Sequence, residues 1–244
     1  MSVPYHVLAS YYETVMKHVD YSMWASFLKK IIKKEGLEPE SILELGAGTG
    51  SLAENLRFSS VKSRVTTDIS IAMISLASPK WSGHRLVADA SAIPLRGPFD
   101  LILMTYDAIN YLSPLKLQLF FEEVYRLLNQ GGLFVFDATT EYNSYTHFED
   151  LHDLVQIKDD FIARHSWYDF IAKKQYNEFN FFVQTEDKLY KRYTELHEQV
   201  VYPISFFENL ARSNSLKIKA TYSDFSEKKG NRKAERIHFV LSKE

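Results

Sequence analysis

The chain contains no cysteine. That absence excludes disulfides, thiolate nucleophiles and cysteine-based zinc sites. It also lacks an excess of either charge. Its 29 Lys and Arg against 31 Asp and Glu leave −2, so no bulk field draws it to nucleic acid or an anionic membrane. No apolar run approaches the ~20 residues needed to cross a bilayer. The first residues, MSVPYHVLASYYETVM, have no basic start followed by a long apolar stretch. A secretory signal is therefore not expected, and a cytoplasmic location is. The eight histidines show no metal-ligand spacing, so no metal is expected. Glycine is scarce, with nine in all, which makes a local cluster of three informative.

That cluster lies in ILELGAGTG, from Ile42 to Gly50. An apolar strand carrying Glu44 runs into a turn with Gly46, Gly48 and Gly50, and SLAENL then suits the first turns of a helix. A strand–turn–helix junction gathers backbone N–H groups and the positive helix end at one point. Glycines let the turn tighten and let a ligand approach the backbone. The pattern predicts a nucleotide-type site.

The first forty residues look helical, with MWASFLKKIIKKEG ending at Gly36 as a C′ residue. From Ser41 strands and helices alternate. SILEL, RVTTDI, HRLVADA, FDLILMTY and GLFVFDA read as strands. ISIAMISLA is a helix N-capped by Ser70 and stopped near Pro79. A second helix opens at Ser113–Pro114 and ends at Gly131. This alternation predicts an open parallel sheet with helices on both faces, whose ligands sit at the carboxyl ends of the strands. Glu44, Asp68, Asp89, Tyr106, Asp107 and Asp137 fall at or near those ends. After Ala138 the alternation stops. Residues 140–160 look helical or irregular. Antiparallel strands follow to about residue 200, with turns expected at Gln175–Asn177 and Glu186–Asp187. PISFFENLARSN is an amphipathic helix. Two final strands, KIKATYSDF and RIHFVLSK, close the chain. The expected organisation is one domain: a helical cap over 1–40, a core over 41–139, an inserted β-rich lid over 140–200, and a last helix with closing strands over 201–244.

A dinucleotide site carries G-x-G-x-x-G and an acid roughly 20 residues on. Asp68 suits either a nicotinamide cofactor or another nucleoside. The G-A-G-T-G spacing and the preceding Glu44 do not favour a nicotinamide. ELGAGTG, then DIS..M, then AD..AIPL, then FDLI resembles the motif series of class I S-adenosylmethionine-dependent methyltransferases. DAINYL, FVFDATT and the stretch from NFFVQ to HEQVVYP resemble a subgroup with an antiparallel lid after the fifth strand. The resemblance implies a Rossmann-like, seven-stranded, mostly parallel sheet with an antiparallel final strand. Where that subgroup carries a glycine before the penultimate strand, this chain has Asn214–Ser215, and Asn214 is expected to take the left-handed turn.

The resemblance also implies roles. Gly46, Ala47 and Gly48 would pack under the methionine and ribose parts of S-adenosylmethionine, with Glu44 ordering the turn. Asp68 would take both ribose hydroxyls, since a carboxylate's two oxygens suit a vicinal diol. Ile69 and Met73 would flank the adenine; Asp89 and Ala90 would meet its polar edge. Tyr106 and Asp107 would lie near the methyl group. Tyr11 and Tyr12, with Trp24 a weaker candidate, would cover the methionine end. Asp107 and His197 are the candidate general bases. Asn110, Tyr142 and His197 are candidates for the acceptor pocket, with Glu198 a further polar candidate. The aromatic insert, including FNFF and WYDF, suits either a packed sheet face or a pocket wall. The expected activity is methyl transfer to a nitrogen or oxygen of a small molecule. A catalytically silent binding module, a nicotinamide-dependent oxidoreductase and a methyltransferase acting on RNA or protein are the alternatives.

Overall fold

The computed structural model describes residues 5–77 and 83–244. After a 3-10 turn at Leu8–Tyr11, a short α1 (Tyr12–Val15) and a long α2 (Tyr21–Lys34) form the cap. The Asp20 carboxylate starts α2 by accepting from the backbone N–H of Ser22 at 3.0 Å and Met23 at 2.9 Å. Gly36, at φ +78°, lies just beyond its end, as the sequence predicts.

The core alternates β1 (Ser41–Leu45), α3 (Ser51–Asn55), β2 (Ser63–Asp68), α4 (Ile71–Ser75), β3 (His84–Val87), β4 (Phe99–Met104), α5 (Pro114–Leu127) and β5 (Leu128–Thr139). After α6 (Glu141–His147) come β6 (Asp150–Ile157), β7 (Asp160–Asp169), β8 (Lys174–Gln184) and β9 (Tyr190–Val200). Helix α7 (Ile204–Ser213), β10 (Leu216–Ser223) and β11 (Arg236–Lys243) complete the chain.

The seven-stranded sheet has the order β10-β11-β5-β4-β1-β2-β3. β1 to β5 pair in parallel, and β11 runs antiparallel to both β5 and β10. The Rossmann-like sheet with one antiparallel strand is as expected. Its period of two divides the core between two faces. Leu101 and Leu103 of β4 meet Trp24, Leu28 and Ile31 of α2. Ile102 and Met104 belong with Phe120 and Phe121 of α5 and Phe207 of α7. Both faces are covered, which is why β4 reads as an unbroken apolar run.

The lid is a separate antiparallel sheet, β6-β7-β8-β9. Several boundaries differ from the sequence reading. Residues 150–157 form an edge strand whose residues alternate exposed and half-buried; one-sided burial leaves too few apolar residues to signal a strand. Gln175, Tyr176 and Asn177 lie inside β8. The turn sits earlier, where Asp169 Oδ1 accepts from Ile171 and Ala172 N–H, both at 2.8 Å. The turn at Glu186–Asp187 is present, closed by Lys188 N–H to the Thr185 carbonyl at 2.9 Å. Helix α5 ends at Leu127, because Leu128 already pairs with Phe99 of β4. Gly131, at φ +75°, lies within the register shift that follows. Ser215 at φ +57°, and not Asn214 at φ −102°, takes the left-handed conformation after α7. The Asn214 amide instead bonds back to the Leu210 carbonyl at 2.9 Å. Pro79 lies outside the described residues.

Candidate active site

Strand β1 delivers the glycine turn at its carboxyl end. Gly46 and Gly48 take φ of +63° and +56°, a conformation that costs other residues ~1–2 kcal/mol. A Cβ on Gly46 would stand 3.0 Å from Ala108 Cβ, and one on Gly48 would stand 3.0 Å from Met73 Cε. Ala47 N–H anchors the turn to the Thr67 carbonyl at 2.9 Å. Asp68 ends β2 and binds the turn directly. Its Oδ2 accepts from Gly48 N–H at 2.9 Å and its Oδ1 from Ser70 N–H at 2.8 Å. Burial pushes its carboxyl up, against these backbone bonds. Ile69 N–H adds to that opposing pull, and a carboxylate's roughly four acceptor sites still leave capacity for a further donor.

Glu44 points into a cavity of roughly 40 Å³ lined by Tyr12, Trp24, Gly46, Gly48 and Tyr106. It is 1% exposed, and its Oε2 has no partner. Burial pushes its carboxyl up to about 7 despite the opposing pull of Arg64. Ile69 is 55% exposed, whereas Met73 is 2% exposed beneath Gly48. Asp89 and Ala90 follow β3 and are half-buried. The Asp89 carboxylate is already engaged by Lys116 Nζ at 2.7 Å and by Ser91 N–H at 2.9 Å. Burial raises its carboxyl, but those bonds outweigh it and leave it below the usual carboxylate range.

Tyr106 and Asp107 are consecutive left-handed residues after β4, at φ +63° and +49°. Asp137, from β5, holds them there. Its carboxylate accepts from Tyr106 N–H at 2.7 Å and Asp107 N–H at 2.8 Å. Arg236 of β11 bridges Asp107 Oδ1 at 2.9 Å and also reaches Asp137. Its guanidinium lies 5.2 Å from the Trp24 ring centre and 5.3 Å from that of Tyr106. Gln199 donates to Asp107 Oδ2 at 2.6 Å. Burial pushes the Asp107 carboxyl up, while Arg236 opposes. Asp107 is thus an ion-paired brace, a poor arrangement for a free general base.

Tyr11 turns to the lid, where its hydroxyl donates to Asp160 at 2.8 Å and its ring stacks on Phe181; Tyr12 is the one that faces the cavity. Asn110 is fully buried. Its amide donates to the Val200 carbonyl at 2.8 Å and its oxygen accepts from Thr139 N–H at 3.1 Å, so it ties the lid's return to β5. Tyr142 stacks edge-on with Tyr145 on α6. His197 is 1% exposed on the underside of the lid. Glu198 alternates to the outer face and pairs with Lys174 at 2.5 Å.

Sequence reasoning missed Tyr5, Tyr111, Glu195, Gln199 and Arg236. Alternation along β9 is the signal that could have found Glu195 and Gln199, because both share the face of His197. The structure also brings Asp150, His152 and His165 together on the lid's outer face, their ligand atoms within 4.8 Å. The two imidazoles lie parallel, 6° apart, so their in-plane lone pairs do not converge on one point.

A methyltransferase-domain family profile matches residues 42–132. A Geobacillus sp. (strain WCH70) protein, provisionally named a methyltransferase, is 27% identical over 98% of this chain and 99% of its own. An S-adenosylmethionine-dependent methyltransferase from Clostridium acetobutylicum ATCC 824 superimposes with a TM-score of 0.82 at 26% identity, covering 95% of each chain. A sugar N-methyltransferase from Streptoalloteichus sp ATCC 53650 shares the fold at a TM-score of 0.76 and 17% identity, over 93% of this chain and 90% of its own. The strand order, the glycine turn tied to the acid that ends β2, and these relatives show the fold of class I S-adenosylmethionine-dependent methyltransferases, with a methyltransferase-domain match over residues 42–132.

Proposed function

We propose that the protein moves a methyl group from S-adenosylmethionine to a nitrogen or oxygen of a small molecule, a one-carbon transferase of the EC 2.1.1 type. The observation that carries this reading is Asp68, whose two oxygens are aimed by backbone N–H donors and keep acceptor capacity beside a cradle that only glycine fits. That arrangement suits a ribose diol. The unpartnered Glu44 Oε2 in the adjoining cavity suits a cationic group such as the ligand's ammonium. Ile69 offers an exposed apolar face to the adenine, and Ala90 a nearby backbone.

When bound, S-adenosylmethionine supplies a methyl group already activated on a sulfonium. The protein's task is to hold donor and acceptor in line, which can be worth ~7–11 kcal/mol. Nucleoside-sized ligands occupy pockets of ~300–1,000 Å³, so the roughly 40 Å³ cavity beneath Tyr12 must widen to take the cofactor. The lid over 140–200 then closes the acceptor space and excludes water. Its buried polar underside, with Glu195, His197 and Gln199, supports a small polar acceptor.

The test is calorimetric titration with S-adenosylmethionine. Asp68→Ala removes charge-assisted hydrogen bonds worth about 1.5–3 kcal/mol, so affinity falls roughly 10–150-fold. Unchanged affinity in a folded variant defeats the ribose assignment. Binding without S-adenosylhomocysteine release over a panel of small amines and alcohols would indicate a binding module instead.

A further inference from the structure

The lid's underside carries buried ionisable groups turned toward the cap. Strand β9 turns Glu195 and His197 inward, each 1% exposed. Phe179 lies edge-on to the imidazole at 5.3 Å and Tyr5 at 4.7 Å. A carboxylate so placed is costly unless compensated. Glu195 Oε1 accepts from Val7 N–H and from Leu8 N–H, the latter at 3.2 Å. Its Oε2 meets His197 Nε2 at 3.2 Å. Burial raises the Glu195 carboxyl, but its bonds to His197, Val7 and Leu8 outweigh this and keep it below the usual range.

An ionised carboxylate can only accept, so His197 Nε2 carries the proton and Nδ1 keeps its lone pair. That lone pair lies 3.3 Å from the Tyr111 hydroxyl, which is 3.0 Å from the Tyr5 hydroxyl. The Tyr5 carbonyl accepts from Ser70 Oγ at 3.3 Å, next to Asp68. The hydrogen-bonded chain from the lid thus ends at the Tyr5 hydroxyl, while the backbone of the same residue is tied to Ser70 beside the cofactor end of β2. The Tyr5 hydroxyl marks where an acceptor's own N–H or O–H would meet Tyr111.

We propose that Glu195, His197 and Tyr111 form a proton relay that deprotonates the methyl acceptor, with Glu195 as the positioning residue. The relay rests on the methyl-transfer reading. Tyr111 takes the proton of an amine or hydroxyl as its phenolic proton passes to His197 Nδ1. The freed electron pair of the acceptor forms the bond to the methyl carbon. The carbon–sulfur bond breaks, its pair stays on sulfur, and the sulfonium becomes a neutral thioether. The imidazolium faces Glu195 and holds the proton until solvent takes it. Tyr5 from the cap, Tyr111 from the turn after β4, Phe179 and Asn177 from β8, and Glu195 beside it surround the imidazole. Asp68 and Asp107 act on the two tyrosines from further off.

Glu195→Gln separates this role from a merely structural one. The variant keeps the oxygen that accepts from Val7 and Leu8, because an amide nitrogen there would oppose two donors. Its nitrogen therefore faces His197, donates to Nε2 and forces the ring proton onto Nδ1. Histidine-¹⁵N NMR of the full-length protein, with the His197 signals assigned by their loss in His197→Asn, reads the tautomer with no ligand present. The expected result is Nε2–H in the wild type and Nδ1–H in Glu195→Gln. Nδ1–H in the wild type, or the same tautomer in both, overturns the relay. On an acceptor found in the amine and alcohol panel, Glu195→Gln and Tyr111→Phe should each lower kcat by ~10²–10⁴-fold, with S-adenosylmethionine affinity unchanged. A change confined to KM or to cofactor affinity reduces the network to a cap latch. Loss of wild-type cofactor binding would instead defeat the methyl-transfer reading and leave the tautomer result standing.

Discussion

Replacing Glu44 by Gln should stabilise the free protein and weaken cofactor binding at once. Glu44 is 1% exposed, with one oxygen unpartnered. Burial outweighs Arg64 and moves its acid constant from the ordinary 4.5 to about 7. At ~1.36 kcal/mol for each tenfold change in that constant, ionised Glu44 costs the native state about 3 kcal/mol. A folded-state value raised above the unfolded one gives stability that is full below 4.5 and lost as pH rises through about 7. Gln carries no such charge. The stability difference between Glu44→Gln and wild type should therefore grow from about 1 kcal/mol at pH 5.5 to about 3 kcal/mol at pH 8.5. Urea unfolding at both pH values, at constant m, measures it. A cationic ligand group beside Glu44 would offset the cost, so the same variant should bind S-adenosylmethionine more weakly at pH 8. A pH-independent difference, or a variant less stable than wild type at high pH, would falsify the buried-charge argument.

Three further outcomes are expected. Gly48→Ala should cost about 1–2 kcal/mol of backbone strain and lower cofactor affinity, because its Cβ would stand 3.0 Å from Met73 Cε; a calorimetric titration identical to wild type would show that the turn tolerates a side chain. Arg236→Ala leaves Asp107 and Asp137 facing each other without their cation. It should destabilise by about 3–5 kcal/mol, and an unshifted thermal midpoint would contradict this. His238 is buried among Trp24, Phe27 and Phe225 with no partner for either nitrogen, and burial, aided by Arg236, pushes its imidazole down to about 3. A depressed value gives stability that is present above the unfolded 6.5 and lost as pH falls toward 3. His238→Phe should therefore gain about 2 kcal/mol on wild type between pH 8 and pH 5; equal acid sensitivity in the two proteins would rule it out.

The core was legible because two kinds of information coincide there. Apolar periodicity switches between two and 3.6 from Ser41 to Thr139, and the glycine turn needs conformations that few other residues adopt. Asp68 was readable from its place after RVTT, since a strand's end and a parallel sheet's ligand edge are the same place. The lid was harder. β6 is an edge strand with one solvated face, so its pattern resembles that of a loop. Asn214 was the obvious left-handed residue by propensity, yet its amide found a better partner in the Leu210 carbonyl and Ser215 took the strain.

Local sequence therefore determined which segments become strands, where the cofactor turn lies and which acid stands beside it, because those features depend on near neighbours. Tertiary structure decided how the remaining polar residues are used. Asp107 became a brace because Arg236, far along the chain, lies in the strand paired with Asp137. Tyr12, and not Tyr11, faces the cavity because the lid took Tyr11. Glu195, and not Glu198, stands beside His197 on the inward face because side chains alternate along a strand, and which face is inward depends on where the lid packs. The glycine turn is written in nine consecutive residues; the Tyr5–Tyr111–His197–Glu195 network exists only where cap, sheet edge and lid meet.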